Sequence, residues 1–332
     1  MTRVPRCLLS CCCAVALLLA LAPLCPALAL QILTPVDNSY LEFNQVTVAV
    51  VIDNPAATVL QVAVGTKKYR KELAKSGGVR QVCLFVPLER GQNRLELSVL
   101  AGATVLERKT LELYVRSAVL KPYQKVPDRF RRLYFHQPET EAACAACHRM
   151  EATVYDITPQ KPEDSPCYTC HKNKMERSYK HKPFAAGYCF SCHEVVKGKR
   201  KYATRKPDQQ SCFVCHSAEG RHWKQQKVHH GPTAVGNCTL CHDPHASDWP
   251  ALEQIHPTEL CINCHHDKKS GAHVIAGFFG KGHPVRGARN PLKEERPFSC
   301  AGCHNPHAGK TQNLLNQERE NLAKYCQTCH KL

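Results

Sequence analysis

Cys144-Ala-Ala-Cys147-His148 is the first of eight pentapeptides of the form C-x-x-C-H in this 332-residue chain. The others are Cys167-Tyr-Thr-Cys170-His171, Cys189-Phe-Ser-Cys192-His193, Cys212-Phe-Val-Cys215-His216, Cys238-Thr-Leu-Cys241-His242, Cys261-Ile-Asn-Cys264-His265, Cys300-Ala-Gly-Cys303-His304 and Cys326-Gln-Thr-Cys329-His330. Two thiols at this spacing reach the two vinyl groups of one porphyrin, and the His that follows lies under the iron. The sequence therefore predicts eight covalent haems c, with these sixteen cysteines as thioether positions. His148, His171, His193, His216, His242, His265, His304 and His330 are the expected proximal iron ligands. Structural zinc also uses C-x-x-C, but it needs Cys and His in groups of four and no His after every pair. A disulfide framework would not need the histidines either.

Around the motifs the sequence repeats. Successive motifs start 23, 22, 23, 26, 23, 39 and 26 residues apart. An H-x-P begins eight residues before the first, third and fifth motifs, at His136, His181 and His230, and His283-Pro284 precedes the seventh at longer range. Four two-haem modules are expected, at roughly 136–180, 181–229, 230–282 and 283–332. Nineteen histidines, eight of them proximal, leave eleven for at most eight distal positions. Neutral imidazole is the natural sixth ligand. Met, the other common choice, is represented only by Met150 and Met175 beyond the first residue. The expected distal ligands are His136, His181, His230 and His283 at the module entrances, His245 and His307 in Pro-His dipeptides, and His222 and His273. His229, His256 and His266 are the expected spares, although His229 competes with His230. Any one of these could instead be a surface or propionate-binding residue. The spacing does not say which distal His serves which haem.

The third and fourth modules share "CHDPHAS" at Cys241 and "CHNPHAG" at Cys303. These residues resemble the bacterial multihaem cytochromes of the doubled C-x-x-C-H family. The likeness is close over 230–332 and weaker over 136–229, where the Pro-His dipeptide is missing. It implies haem electron transfer at or beyond the bacterial cell envelope, and it fixes neither donor nor acceptor. The haem region, 136–332, is expected to have short helices and little regular structure. Its best longer helix candidate is "NLLNQERENLAKYCQTCH".

Residues 30–117 carry no haem motif and read as β. Val46 to Ile52, Val59 to Val64, Gln81 to Leu88, Leu95 to Leu100 and Leu111 to Val115 are candidate strands, with a turn at Arg90 to Asn93. Short strands at this spacing predict an all-β two-sheet sandwich. "VPLERGQNRLEL" from Val86 resembles the late hairpin of bacterial immunoglobulin-like domains, and covers only this region. Cys83 reads as a buried small hydrophobe more than as a reactive thiol. Residues 118–135, with Pro122 and Pro127, read as an extended linker.

Residues 1–29 read as a signal peptide: Arg3 and Arg6, a Leu/Ala-rich run, then Ala27-Leu28-Ala29. Pro23, Pro26 and the small-residue site favour cleavage over an uncleaved anchor. Neither Cys25 nor Cys11 sits in a lipoprotein context. No transmembrane segment is expected after cleavage. The predicted location is the periplasm or the outer cell surface, since haem joins C-x-x-C-H after export. The formal charge is +17, and +15 once Arg3 and Arg6 are gone. Haem propionates would bring this to about +7 oxidised and about −1 reduced. The basic excess is thus a counter-charge, and no motif supports nucleic-acid binding.

Three functions fit these features. The leading one is a multihaem cytochrome carrying electrons to and from redox partner proteins. A multihaem reductase of a small oxyanion or sulfur compound would need one iron with an open position. A docking role for the β region, including assembly into an oligomer or polymer, is compatible with the first. No catalytic constellation is visible.

Overall fold

The computed structural model describes residues 30–74, 78–116, 125–153, 156–195, 201–274, 282–316 and 322–330. The expected signal peptide lies outside the described residues. By contacts the chain divides into two units. The first is Met1–Pro35, Thr47–Val86 and Arg94–Leu111; the second is Val36–Val46, Pro87–Asn93 and Glu112–Leu332.

The strands of the β region are β1 (Leu30–Thr34), β2 (Ser39–Leu41), β3 (Gln45–Ile52), β4 (Val59–Val64), β5 (Lys67–Glu72), β6 (Arg80–Pro87), β7 (Gly91–Ala101) and β8 (Thr104–Val115). A short β9 (Arg131–Arg132) follows. They form a three-stranded sheet, β1-β3-β6, and a six-stranded sheet, β5-β4-β7-β8-β2-β9. In the first unit, alternation along the strands points one set of side chains inward. Leu30, Val48, Val50, Ile52, Leu60, Val62, Val86, Leu95, Leu97 and Val99 have no exposed surface. Each contributes roughly 1.5–3 kcal/mol of burial. β5 (KKYRKE) was not expected to be a strand, because it has no apolar alternation. It pairs antiparallel with β4, Val59 opposite Glu72 through Val64 opposite Lys67, and closes the edge of its sheet. A charged edge resists pairing with other chains.

In the second unit, Gly91 has φ +86°, a conformation that favours glycine. Asn93 is buried beside it and pins the turn. Its Nδ2 donates to the carbonyls of Glu89 (2.7 Å) and Gly91 (3.0 Å), and its Oδ1 accepts from the Glu89 amide (2.9 Å). The expected turn at 90–93 is therefore partly strand, since β7 begins at Gly91. The expected linker, 118–135, is described from 125 onward. There β9 pairs parallel with β2, Ser39 opposite Arg131 and Tyr40 opposite Arg132. Phe130 is buried, with its ring 5.5 Å from that of Tyr114.

Beyond His136 the elements are short: α1 (Pro138–Cys144), α2 (Tyr168–His171), α3 (Lys182–Ala185), α4 (Gln209–Cys212), α5 (Ser217–Lys224), α6 (Gly231–Ala234), α7 (Pro257–Ile262) and α8 (Leu322–Cys326). The long helix expected from Asn313 does not form there. Leu314 sits at φ +50°, outside helical space, and the described helix begins only at Leu322. Prolines apart, the described buried hydrophobic residues of this region are Cys144, Ala246 and Ala308. Such a set cannot make a core by itself.

Candidate haem sites

Seven of the eight motifs make a tight turn that brings the His amide back to the first Cys. The amide of His148 donates to the carbonyl of Cys144 (3.0 Å), and the same bond recurs at His171, His216, His242, His265, His304 and His330. At three motifs the proximal imidazole is then fixed by its own loop. Nδ1–H donates to the carbonyl nine residues on: His193 to Tyr202 (2.6 Å), His242 to Ala251 (2.8 Å) and His304 to Asn313 (2.6 Å). A carbonyl only accepts, so the proton is on Nδ1 and Nε2 keeps its lone pair.

The module-entrance histidines are placed by the proline that follows. His181 and His230 are extended, at φ −70° and −65°, and a helix starts directly after each with Pro in its first turn. Their amides donate to the carbonyls of His245 and His307, both at 2.9 Å. Two-residue ladders continue these contacts, Tyr179–Lys180 against Ala246–Ser247 and Val228–His229 against Ala308–Gly309. Entrance and Pro-His histidines of successive modules thus lie side by side.

Six pairs of imidazole rings face one another. Ring centres are 6.3 Å apart for His136 and His171, 6.1 Å for His181 and His216, and 5.9 Å for His193 and His245. They are 6.0 Å apart for His230 and His265, His242 and His307, and His283 and His330. Ring planes lie within 32° of parallel in five pairs, while His283 and His330 are at 90°. A metal–imidazole bond of about 2 Å on each side, with each ring centre roughly 1 Å beyond its nitrogen, spans about 6 Å. Imidazoles at this separation fit an iron held from both faces.

The second nitrogen is held in four of the distal rings. His181 Nδ1 donates to the Pro244 carbonyl (3.0 Å) and His283 Nδ1 to that of Pro284 (2.8 Å). His136 Nδ1 bonds Glu141 (2.9 Å) and His245 Nδ1 bonds Asp243 (2.9 Å). Burial, with repulsion from other imidazoles, lowers the pKa of His171 to about 4, and does the same for His307. Burial also lowers those of His181, His193, His230 and His242. All of these rings are neutral at pH 7, the form that binds iron. Burial opposes the charge of Asp243, but the His245 hydrogen bond and Lys174 outweigh it and keep its pKa below the usual range.

Every histidine is among the described residues. The distal candidates His222 and His273 are exposed, and neither ring stands opposite a proximal one. No histidine ring faces His148 or His304 at the separation of the six pairs. The expected spares His229 and His256 are engaged otherwise. His229 Nε2 donates to the Trp223 carbonyl (2.8 Å), which leaves the lone pair on Nδ1. His256 Nδ1 accepts from the Thr258 amide (3.2 Å), so its proton is on Nε2. Sequence reasoning missed the aromatic supports. Trp223 stacks on His307 at 4.4 Å, and Phe184 meets His245 edge-on at 5.4 Å. Among the described residues, no group of three or more His, Cys, Asp or Glu has the arrangement of a metal cluster.

The motifs also touch in order. The thiols of Cys167 and Cys189, Cys212 and Cys238, and Cys261 and Cys300 are near enough to interact, joining the second motif of one module to the first of the next. Cys192 and Cys215, Cys241 and Cys264, and Cys303 and Cys329 are near enough to interact electrostatically.

The family model for the doubled CXXCH motif matches residues 136–176, 181–221, 230–270 and 290–332. The first three begin where the modules were expected, and the fourth begins at 290 in place of 283. The chain is also similar to the multiheme cytochrome MtrA of Shewanella baltica (strain OS185), 28% identical over 102 residues. That match covers 31% of this chain and only 26% of the relative. Among solved structures, an engineered protein gives a TM-score of 0.20 at 18% identity, over 26% of this chain and 20% of that one, which carries no argument. No described helix is long and apolar enough to cross a membrane. Four copies of the motif pair span half of the sequence, and the chain belongs to the doubled CXXCH family of multihaem c-type cytochromes.

Proposed function

We propose that this chain is an exported electron-transfer protein of the bacterial cell envelope or outer surface that carries eight haems c and passes electrons along them. The observation that carries this reading is the set of imidazole pairs about 6 Å apart. When bound, haem c supplies a one-electron iron couple at each site. The chain's own residues do the rest. The sixteen motif cysteines anchor, the proximal histidines hold one face, and the distal histidines close the other against small molecules. On this reading His136, His181, His230 and His283 serve motifs two, four, six and eight, each within its own module. His245 and His307 reach back one module, to motifs three and five. The thiol contacts support an electron path in sequence order. The β region, with no His between residues 30 and 117, is a docking module for redox partner proteins.

A second reading, a multihaem reductase, draws on the absence of a histidine ring opposite His148 and His304. The relay reading needs a sixth ligand at these two irons, with His222 and His273 the candidates once haem is attached. Carbon monoxide added to the reduced protein separates the two. The relay expects no stoichiometric binding. Binding at one haem, with a high-spin signal when oxidised, favours the reductase.

A further inference from the structure

Four of the distal imidazoles differ in what holds Nδ1. At His181 and His283 the acceptor is a backbone carbonyl, of Pro244 and Pro284. At two neighbouring sites it is a carboxylate. His245, opposite His193, bonds Asp243 Oδ1 at 2.9 Å. His136, opposite His171, bonds Glu141 Oε1 at 2.9 Å. Each carboxylate has a lysine behind it. Lys174 Nζ lies 3.1 Å from Asp243, and Lys201 Nζ lies 2.9 Å from Glu141 and 2.8 Å from Glu151. Glu141 is buried, and Lys174 and Lys201 are 17% and 12% exposed, so these links are screened less than surface pairs.

The chain contains its own control. Asp243 Oδ1 also accepts from the His245 amide at 2.9 Å, and Asn305 Oδ1 accepts from the His307 amide at 3.0 Å. The two turns are the same, "CHDPH" and "CHNPH", with one acid exchanged for its amide. The backbone position needs only the oxygen that both side chains supply. The negative charge at 243 is extra, and it is aimed at a ring nitrogen.

We propose that Asp243 and Glu141 are positioning residues that strengthen His245 and His136 as iron donors, making the second and third haem sites the most reducing of the six paired sites. The proposal rests on the ligand reading above. An imidazole donating to a carboxylate is a more basic ligand than one donating to a carbonyl, and a more basic ligand favours the oxidised iron. The lysines hold the carboxylates in place and offset part of their charge. Electrons entering at the second and third sites then run downhill toward later modules, and the relay has a direction built into its side chains.

The test uses the full haem-loaded chain, with redox titration followed by magnetic-resonance signals that resolve individual haems. In Asp243→Asn one haem potential should move up, and in Asn305→Asp a different one should move down, both irons remaining low-spin. Lys174→Met keeps the carboxylate and removes its counter-charge, so the haem moved by Asp243→Asn should move the opposite way. A purely structural role for Asp243 predicts that Asp243→Asn and Lys174→Met shift that haem in the same direction, which would overturn the proposal. So would unmoved potentials in both position-243 and position-305 variants. His245→Ala keeps the two readings apart. If it creates no high-spin iron, the ligand assignment itself is wrong.

Discussion

The β region and the haem-motif region solve burial in opposite ways. In the first, strand alternation packs Leu60, Val62, Leu95, Leu97 and Val99 out of water entirely. In the second, Cys144, Ala246 and Ala308 are the described buried hydrophobics besides prolines, and facing rings stand about 6 Å apart. One region folds on what its own side chains bury. The other is a set of turns and two-residue ladders that buries few apolar side chains of its own.

The largest expected effect follows directly. Made without haem attachment, the full chain should lose cooperative folding beyond His136 while its β signal persists, measured by circular dichroism and limited proteolysis. A haem-free chain protected throughout would break the comparison. Next in size, His307→Ala should open one iron, and that iron should lie in the third module, opposite His242. High-spin absorption counts the opened sites, and selective loss of module four's first haem would contradict the cross-module assignment. Leu97→Ala should destabilise the β region by about 2–5 kcal/mol through a cavity. Its haem spectrum should not change; a shifted spectrum would show that the two regions are not energetically separate.

The sequence was informative where chemistry is local. The C-x-x-C-H spacing and the alternation of β3, β4 and β7 need only neighbours along the chain. β5 was missed because an edge strand needs no apolar face. The helix expected from Asn313 was over-extended because helical propensity does not report the φ of Leu314. The pairing of His245 and His307 was hidden because it joins modules; the other four pairs lie within one. Yet one signal was present: His136 to His171, His181 to His216 and His230 to His265 are all 35 residues apart. His222 and His273 follow motifs four and six by position, and neither ring stands opposite a proximal one in the structure.

The smallest predicted effect concerns Arg149 and Asp156. Asp156 is 5% exposed and bonds Arg149 at 2.7 and 2.8 Å. The Arg149 hydrogen bond, with those from Thr153, lowers its pKa to about 2. Because the folded pKa is depressed, its stabilisation is fully present above about pH 4 and is lost as pH falls toward 2. Asp156→Asn should cost roughly 1–3 kcal/mol at neutral pH, and less as the acid is titrated. Denaturant melts at pH 7 and pH 3 check the sign; equal losses at both would contradict it.

The central claim is that opposed imidazoles hold the irons. The most direct measurement is quantitative near-infrared magnetic circular dichroism with electron paramagnetic resonance on the oxidised, fully loaded protein. The six facing pairs predict at least six low-spin bis-imidazole haems per chain. Fewer than six would contradict the account.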